Sequence, residues 1–550
     1  MAEVSPIEKF LERIAQHPEK TYLRQPKNGV WTDYSWAEVG DQVHRMASAL
    51  TAMGIGKGDV VATSGANTAH WIMGDLAASM VGAANVGLYP KMSSDHLVHV
   101  MTHSGAKAIF VGPGDDVANV LAAVPAGVIK IANPYDTVEG DTDHNWDDLV
   151  AANEPFTGFQ IPADDDLAGL IYTSGTTGNP KGVMITYGNI TFAMESNARL
   201  FDPADPDPKW FSYLPLAHVF ERGVVGMSSL YSGAQISFLE NFKTLQRDLS
   251  AVAPTRFIAV PLVWSRLQSG IIDKMPEKKL RMLLKIPVVG GMVKNKIKTS
   301  LGLQNVGIAV SGAAPLSSSV IEFFRLFDIS ISQGYGMSEN MAYCTADYPA
   351  REKPGSVGKA LEGCELKIDD NGELLCRHPA VTKGYYKEPE KTSEAITEDG
   401  WLRTGDRALI DQEGYVTITG RVKDLFKTDK GKYIAPVPIE TKFAENENVE
   451  SLCLIGSGHK QPVMVLTLSE VGFKAEKDEV TRSIEATVAE MNPTLESQEK
   501  IAKVVVCAKP WTVDDGQMTP TMKVRRHFIE EAYSDSIPGW YGEDDGVIWL

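Results

Sequence analysis

The sequence predicts an α/β chain: doubly wound layers of helix and strand up to about Tyr343, then a β-rich region, then a smaller α+β segment to the end. Three observations lead there. Short apolar runs alternate with helical periodicity through the first part of the chain, the pattern of stacked α/β units. Two hairpin signatures interrupt that alternation between about Gly355 and Gly420. At 550 residues the chain is too long for one hydrophobic core and suggests roughly three or four structural units.

In chain order, Trp36 to Met53 reads as an amphipathic helix, with Gly54 and Gly56 as stop signals. Val60-Val61-Ala62, Ala108-Ile109-Phe110-Val111 and Val128-Ile129-Lys130-Ile131 read as strands, and Leu167 to Tyr172 as a buried one. Leu366-Lys367-Ile368 and Glu373-Leu374-Leu375-Cys376 flank Asp370-Asn371-Gly372, a turn sequence that favours a hairpin. Arg407 to Ile410 and Tyr415 to Ile418, separated by Asp411-Gln412-Glu413-Gly414, form the second signature. Beyond Arg421, strands are expected at Leu452–Ile455, Val463–Leu468 and Val504–Cys507. The apolar tail Gly546-Val547-Ile548-Trp549-Leu550 fits packing either on this last unit or on a partner.

Composition narrows the function classes. Hydrophobic residues make up 43% and charged residues 23%, ordinary for a soluble globular protein. A formal net charge of −18 argues against general nucleic-acid binding, and it means that any anionic substrate is held by local donors. Five cysteines (Cys344, Cys364, Cys376, Cys453, Cys507) at spacings unlike a zinc or disulfide framework point to a reducing compartment. The N-terminal residues lack a basic and then apolar signal sequence, and no apolar run is long enough to span a bilayer, so a cytoplasmic location is expected.

The most informative stretch follows the strand Leu167 to Tyr172. Thr173-Ser174-Gly175-Thr176-Thr177-Gly178-Asn179-Pro180-Lys181-Gly182 places hydroxyls, glycines and one lysine in a single loop. Glycines let backbone N–H groups approach an oxyanion, hydroxyls add donors, and the lysine adds charge. The loop lacks the Gly-Lys-Ser/Thr spacing of a Walker A motif.

It is one of six motifs in order. The others are Ser311-Gly312-Ala313-Ala314-Pro315-Leu316, Gly334-Tyr335-Gly336-Met337-Ser338-Glu339 and Gly400-Trp401-Leu402-Arg403-Thr404-Gly405-Asp406, then Gly420-Arg421-Val422-Lys423-Asp424 and Met518-Thr519-Pro520-Thr521-Met522-Lys523-Val524-Arg525-Arg526. The set resembles the adenylate-forming superfamily of acyl-CoA synthetases, luciferases and peptide-synthetase adenylation domains, over nearly the whole chain. Tyr213-Leu214-Pro215-Leu216-Ala217-His218-Val219-Phe220-Glu221-Arg222 and Leu425 to Pro436 are similar to the long-chain fatty acyl-CoA synthetase branch.

That resemblance implies a large N-terminal domain (residues 1–421) of two doubly wound α/β subdomains plus a β-rich, distorted-barrel subdomain. A small mobile α+β domain (422–550) follows, with its hinge at Lys423. It implies ATP, Mg²⁺ and coenzyme A as cofactors and a fatty acid as substrate. The acid becomes an acyl-adenylate, then a CoA thioester.

The implied roles suit the residue types. Thr173, Ser174, Gly175, Thr176, Thr177, Gly178 and Lys181 would grip phosphate. Glu339, with Thr173, would hold the Mg²⁺, a hard cation that wants oxygen ligands. Gly312, Ala313, Ala314, Gly334, Tyr335, Gly336, Met337 and Ser338 would form the adenine slot, with the Tyr335 ring on the base. Asp406, an acceptor-only carboxylate, would take the ribose hydroxyls, and Arg421 would add a donor at the domain junction. Lys523, a compact point charge, would bridge the attacking carboxylate and the α-phosphate. His218 would lie by the substrate carboxyl and gate it. Gly431 would face the pantetheine tunnel. Lys523, His218 and Glu339 are thus the catalytic candidates.

Two positions depart from the family pattern: Tyr187 stands where histidine is frequent, and Ser338 where threonine is. Serine keeps the hydroxyl, and Tyr187 bears on local packing only. The same adenylation parts also serve enzymes with another acceptor, a carrier protein or a luciferase-like oxygenase, and non-catalytic lipid- or nucleotide-binding relatives. Intact Lys523, Glu339 and Lys181 argue against the last. Chain length stays at "medium to long", since a single methylene is discriminated by only about 1–3 kcal/mol.

One segment stands apart. Lys274, Lys278, Lys279, Arg281, Lys285, Lys294, Lys296 and Lys298 interleave with Met282-Leu283-Leu284 and Ile286-Pro287-Val288-Val289. It reads either as a solvated helix pair over the acyl tunnel or as peripheral contact with the inner face of a membrane. Oligomeric state is left open.

Overall fold

Two mostly parallel sheets, each wound in both directions, make up the first part of the chain. A computed structural model describes residues 4–173, 179–200, 205–348, 353, 355–513, 515–519 and 522–550. The first sheet has seven strands in the order 144–145, 129–132, 108–111, 60–64, 84–87, 167–173, 181–186. All neighbours are parallel except the last pair. Starting from Val60–Ser64, the chain goes first to one side (Ala84–Gly87) and then to the other (Ala108–Val111), a doubly wound topology. The expected helix is present as Trp36–Ala52, started by a capping box in which Ser35 and Glu38 bond each other's backbone.

The second sheet has nine strands, with a parallel run 21–27, 235–238, 209–212, 256–259, 308–311, 331–335. Its winding also reverses, here about Lys209–Ser212. The hairpin Thr21–Lys27 and Val30–Ser35 belongs to this sheet although it lies at the start of the chain.

The two expected hairpins are present in one four-stranded antiparallel sheet, 365–368, 373–377, 402–410, 416–421. Val357 donates to the Val416 carbonyl and Val416 to the Gly358 carbonyl, which ties this sheet to the edge of the second one. The last unit carries a sheet 449–455, 463–468, 503–507, 547–549 under the helix Lys477–Met491. The apolar tail is its edge strand: Val504, Val505 and Val506 pair with Val547, Ile548 and Trp549, and the Trp549 indole donates to Thr481 Oγ1 at 3.1 Å. Of the two readings of the tail, packing on its own unit is the one observed.

A buried ion pair joins the two large sheets. Arg222 reaches Asp75 through both prongs, Nε–Oδ2 2.9 Å and Nη2–Oδ1 2.6 Å. Gly169 makes the room, since a Cβ there would meet the guanidinium at 2.8 Å. Removing one partner strands a buried charge, so Asp75→Ala is expected to lower stability by about 3–5 kcal/mol. Urea unfolding followed by tryptophan fluorescence checks this, and a loss below about 1 kcal/mol would contradict it.

Candidate active site

Ligands of open α/β sheets sit outside the carboxyl ends of the strands where the winding reverses. In the second sheet that rule selects the segment after Lys209–Ser212, which is Tyr213 to His218. The neighbouring strands Ile308–Ser311 and Ile331–Tyr335 end in Gly312-Ala313 and in Gly334-Tyr335-Gly336. Sequence-distant motifs therefore meet at one sheet edge.

Local sequence explains the loop shapes. A Cβ on Gly312 would lie 3.1 Å from the Phe220 ring and 3.5 Å from the Gly334 carbonyl oxygen, so glycine lets these segments close up. Ala313 has φ +70°, an uncommon conformation for a residue with a side chain, and Ala314 beside it is exposed. After Glu339 the chain turns through Met341 and Ala342, at φ +55° and +54°. Gly336 accepts that return, because a Cβ would sit 2.5 Å from the Ala342 backbone. Met337 N–H donates to Asn340 Oδ1 at 2.8 Å, and Ser338 is buried. Three buried cysteines, Cys344, Cys364 and Cys376, pack with Leu402 beneath Tyr335 and Met337, as small apolar fillers.

Glu339 is 7% exposed, and burial raises its carboxyl above the usual range. The Tyr385 hydroxyl donates to its Oε1 at 2.8 Å. The Lys181 ammonium lies over the same tyrosine ring, 4.8 Å from its centre. Lys181 also stands directly across from Thr173 in the antiparallel pair that carries the loop. Ser174, Gly175, Thr176, Thr177 and Gly178 lie outside the described residues.

Asp406 and Arg421 are cross-strand partners. Arg421 Nε is 3.0 Å from Asp406 Oδ1, and the Tyr335 hydroxyl donates to Asp406 Oδ2 at 2.7 Å. The bond holds the tyrosine ring in place. Burial raises the Asp406 carboxyl, and Asp406 in turn raises Arg421.

Lys523 arrives from the C-terminal unit. Its N–H bonds Thr519 Oγ1 at 3.0 Å and Thr519 N–H bonds the Lys523 carbonyl at 2.8 Å, a tight turn with Met522 at φ +60°. Pro520 and Thr521 lie outside the described residues. Desolvation first, then Arg421, lowers the Lys523 ammonium to about 8, while Asp406 opposes the shift. His218 feels the same lysine: burial and then Lys523 lower its imidazole to about 3, so the ring is neutral. His218 Nδ1 accepts from Phe220 N–H at 3.2 Å, which leaves the proton on Nε2 as a donor. Pairwise interactions thus link Lys181 and Arg421 to Glu339, Arg421 and Tyr335 to Asp406, and Lys523 to Asp406, Arg421 and His218, in one cluster.

Two expected residues sit apart. Lys423 is exposed in the turn after Arg421. Gly431 is exposed in the turn between Phe426–Lys427 and Tyr433–Ile434, with open space beside its Cα. In this arrangement its φ of +73° is what asks for glycine.

Sequence reading missed two contributors. Tyr385 comes from a segment that pairs with the edge strand Lys181–Thr186 through Val183. Its only signal was an aromatic residue after Gly384. Buried Asn67 clamps the His218 segment, donating to the Leu214 carbonyl at 2.6 Å and accepting from Leu216 N–H at 3.1 Å. Tyr187 is buried at the start of the helix Tyr187–Leu200, a packing role as expected.

The donor set fits a magnesium nucleotide. A buried carboxylate starved of solvent gains from a divalent cation. Among the described residues no group of three or more His, Cys, Asp or Glu side chains forms a cage of its own. A cation here would therefore share its coordination with phosphate and water, as Mg²⁺ does.

Comparison with known proteins decides the family. Residues 10–386 match the model for the AMP-binding enzyme, and residues 423–545 that for the AMP-binding enzyme C-terminal domain. The chain belongs to the AMP-binding enzyme family. Its relatives include the long-chain-fatty-acid–CoA ligase FadD15 of Mycobacterium bovis, 30% identical over 97% of this chain and 96% of that protein. Fatty acyl-CoA synthetase A of Dictyostelium discoideum is also 30% identical, over 95% and 87%. Among solved structures, the A domain of a carboxylic acid reductase from Segniliparus rugosus, in complex with AMP, matches with a TM-score of 0.81 at 20% identity over 98% of this chain and 95% of that one. The anthranilate CoA ligase AuaEII matches with a TM-score of 0.80 at 18% identity, over 98% and 99%. The chain thus has the adenylate-forming fold, with a large N-terminal and a smaller C-terminal domain.

Proposed function

We propose that this chain is an AMP-forming fatty acid–CoA ligase. It joins a medium- to long-chain fatty acid to ATP as acyl-adenylate, transfers the acyl group to CoA, and releases pyrophosphate and AMP. The observation that carries the reading is that Lys523, in the segment after Met518, lies within electrostatic reach of His218, Asp406 and Arg421. Similarity over 96% and 87% of the length of two fatty acyl-CoA ligases supports the substrate class.

In the first half-reaction a carboxylate oxygen of the acid attacks the α-phosphorus, and pyrophosphate leaves. Two anions must approach each other, so the site supplies positive charge and donors. Lys523 bridges the carboxylate and the α-phosphate. The Thr173–Gly178 loop and Lys181 hold the β- and γ-phosphates. Glu339, with Thr173, would hold the Mg²⁺, which would supply positive charge to the phosphate oxygens. Tyr335 lies against adenine in the slot of Gly312, Ala313, Ala314, Gly334, Gly336, Met337 and Ser338, and Asp406 and Arg421 take the ribose. His218 presents its Nε2 proton at the carboxyl. In the second half-reaction the CoA thiol attacks the acyl carbonyl carbon and AMP leaves, after the C-terminal domain (422–550) rotates at Lys423 and presents Gly431 to the pantetheine. The reducing conditions implied by five buried free cysteines support a cytoplasmic location. Among the described residues no helix is long and apolar enough to cross a membrane.

Pyrophosphate release across a panel of acids, with and without CoA, tests the reading. Release with medium- and long-chain fatty acids, and acyl-CoA as product when CoA is present, is expected. Release with other acids only, or no thioester, would refute it.

Two further outcomes follow from the geometry. Tyr385→Phe removes a hydrogen bond to a charged ligand, worth about 1.5–3 kcal/mol. The Mg²⁺ concentration for half-maximal pyrophosphate release should therefore rise roughly 10- to 100-fold, and an unchanged Mg²⁺ titration would contradict the role of Glu339. Lys523 is charged below about pH 8 and loses its charge above it. For free enzyme, kcat/KM of the first half-reaction should fall about tenfold per pH unit above that point. A flat profile to pH 10 would contradict it.

A further inference from the structure

The basic and apolar segment folds as a helical hairpin that buries one apolar face and exposes another. Its helices are Glu277–Leu284 and Val289–Leu301, inserted between the strands Arg256–Ala259 and Ile308–Ser311 of the second sheet. Leu280 is fully buried, and Leu284, Val293 and Ile297 pack against the main core. Gly290 seats the second helix on the first, since a Cβ there would lie 2.4 Å from the Leu284 carbonyl oxygen.

The opposite face and the tip have no such cover. Met282 is 59% exposed, Val288 80% and Met292 68%, with Ile286 and Val289 also exposed. Long apolar side chains clustered in this way mark an interaction site rather than scattered surface residues. Val288, in the tip Ile286-Pro287-Val288-Val289, also has φ +68°, which a β-branched residue rarely adopts.

Charge says what covers this face. From Lys274 to Lys298 eight cations stand against the single acid Glu277, in a chain of net charge −18. Arg281 pairs with Glu277 and Lys294 with Asp328. Among the described residues Lys278, Lys279, Lys285, Lys296 and Lys298 make no ion pair. An apolar tip flanked in the chain by lysines without an ion pair on both helices complements an anionic bilayer, whose headgroups take the cations and whose acyl boundary takes the tip. A purely ionic partner would leave the apolar residues in water, and a zwitterionic one would leave the lysines unmatched.

We propose that the hairpin 277–301 is a docking site for an anionic lipid surface. The site is separate from the cleft, and its test does not depend on which acid is activated. The full chain is co-sedimented with phosphatidylglycerol vesicles and with phosphatidylcholine vesicles. Binding to the anionic vesicles, weakened by salt, is expected. Lys278→Gln/Lys279→Gln/Lys285→Gln should weaken it about fivefold per cation, roughly a hundredfold in all. Met282→Ser/Val288→Ser/Met292→Ser should also weaken it at unchanged charge. Both variants change exposed side chains, and their far-UV circular dichroism and thermal unfolding should match those of the unsubstituted chain, showing that each is folded. Equal binding to both vesicle types, binding unaffected by either variant, or no vesicle binding would overturn the proposal.

Discussion

Lys523→Ala is expected to abolish acyl-adenylate formation while leaving thioester formation from supplied acyl-adenylate close to the wild-type rate. In the observed arrangement the lysine meets the cleft groups of the large domain, and its ammonium is the charge that faces both Asp406 and His218. Preorganised donors of this kind are worth about 10²–10³ in rate when one is removed. The loss should be at the upper end, because in the proposed mechanism the lysine supplies a full charge where two anions must meet. Arg421 does not replace it, being held 3.0 Å from Asp406. The second half-reaction replaces a phosphate leaving group with a thiol and brings no second anion to the α-phosphorus, so it does not need this charge. Pyrophosphate release and conversion of synthetic acyl-adenylate, measured separately, check the split. Equal loss in both would show that the substitution damages the fold or the acyl site instead.

Lys423→Pro should give the reverse pattern: pyrophosphate release retained, CoA thioester formation blocked. Lys423 is exposed, and the turn's hydrogen bonds run from Val422 N–H to the Gly405 carbonyl and from Asp424 N–H to the Arg421 carbonyl, bypassing it. Proline at this position therefore removes no bond of the turn. It fixes φ near −65° and restricts Val422 before it, so a rotation that needs a φ/ψ change here is lost. Normal CoA turnover in the variant would refute the hinge assignment.

Much of this was legible in the sequence for a local reason. Turn sequences between short flanking runs placed both hairpins of the four-stranded sheet, and apolar runs placed the parallel strands of the last unit. The cleft residues from Gly312 to Arg421 were legible because each motif couples its chemistry to a glycine that the local backbone needs, as at Gly336. What escaped depends on pairings between distant segments. The hairpin 21–35 joins the second sheet through contacts more than two hundred residues away, which no local pattern encodes. Tyr385 and Asn67 act by reaching across sheets, to Glu339 and to the His218 segment, and carry no motif of their own. The tail 547–549 was ambiguous because an edge strand shows the same apolar pattern whether its partner is its own sheet or another chain.

In the proposed function one site makes the acyl-adenylate and then passes it to CoA. A single-turnover rapid-quench experiment tests it most directly: enzyme, ATP, Mg²⁺ and a radiolabelled long-chain fatty acid are mixed without CoA, and CoA is added later. Enzyme-bound acyl-adenylate and pyrophosphate in equal amounts are expected before CoA, then acyl-CoA and AMP at the expense of the adenylate. Acyl-CoA that forms without prior adenylate, or adenylate that CoA fails to consume, would contradict it.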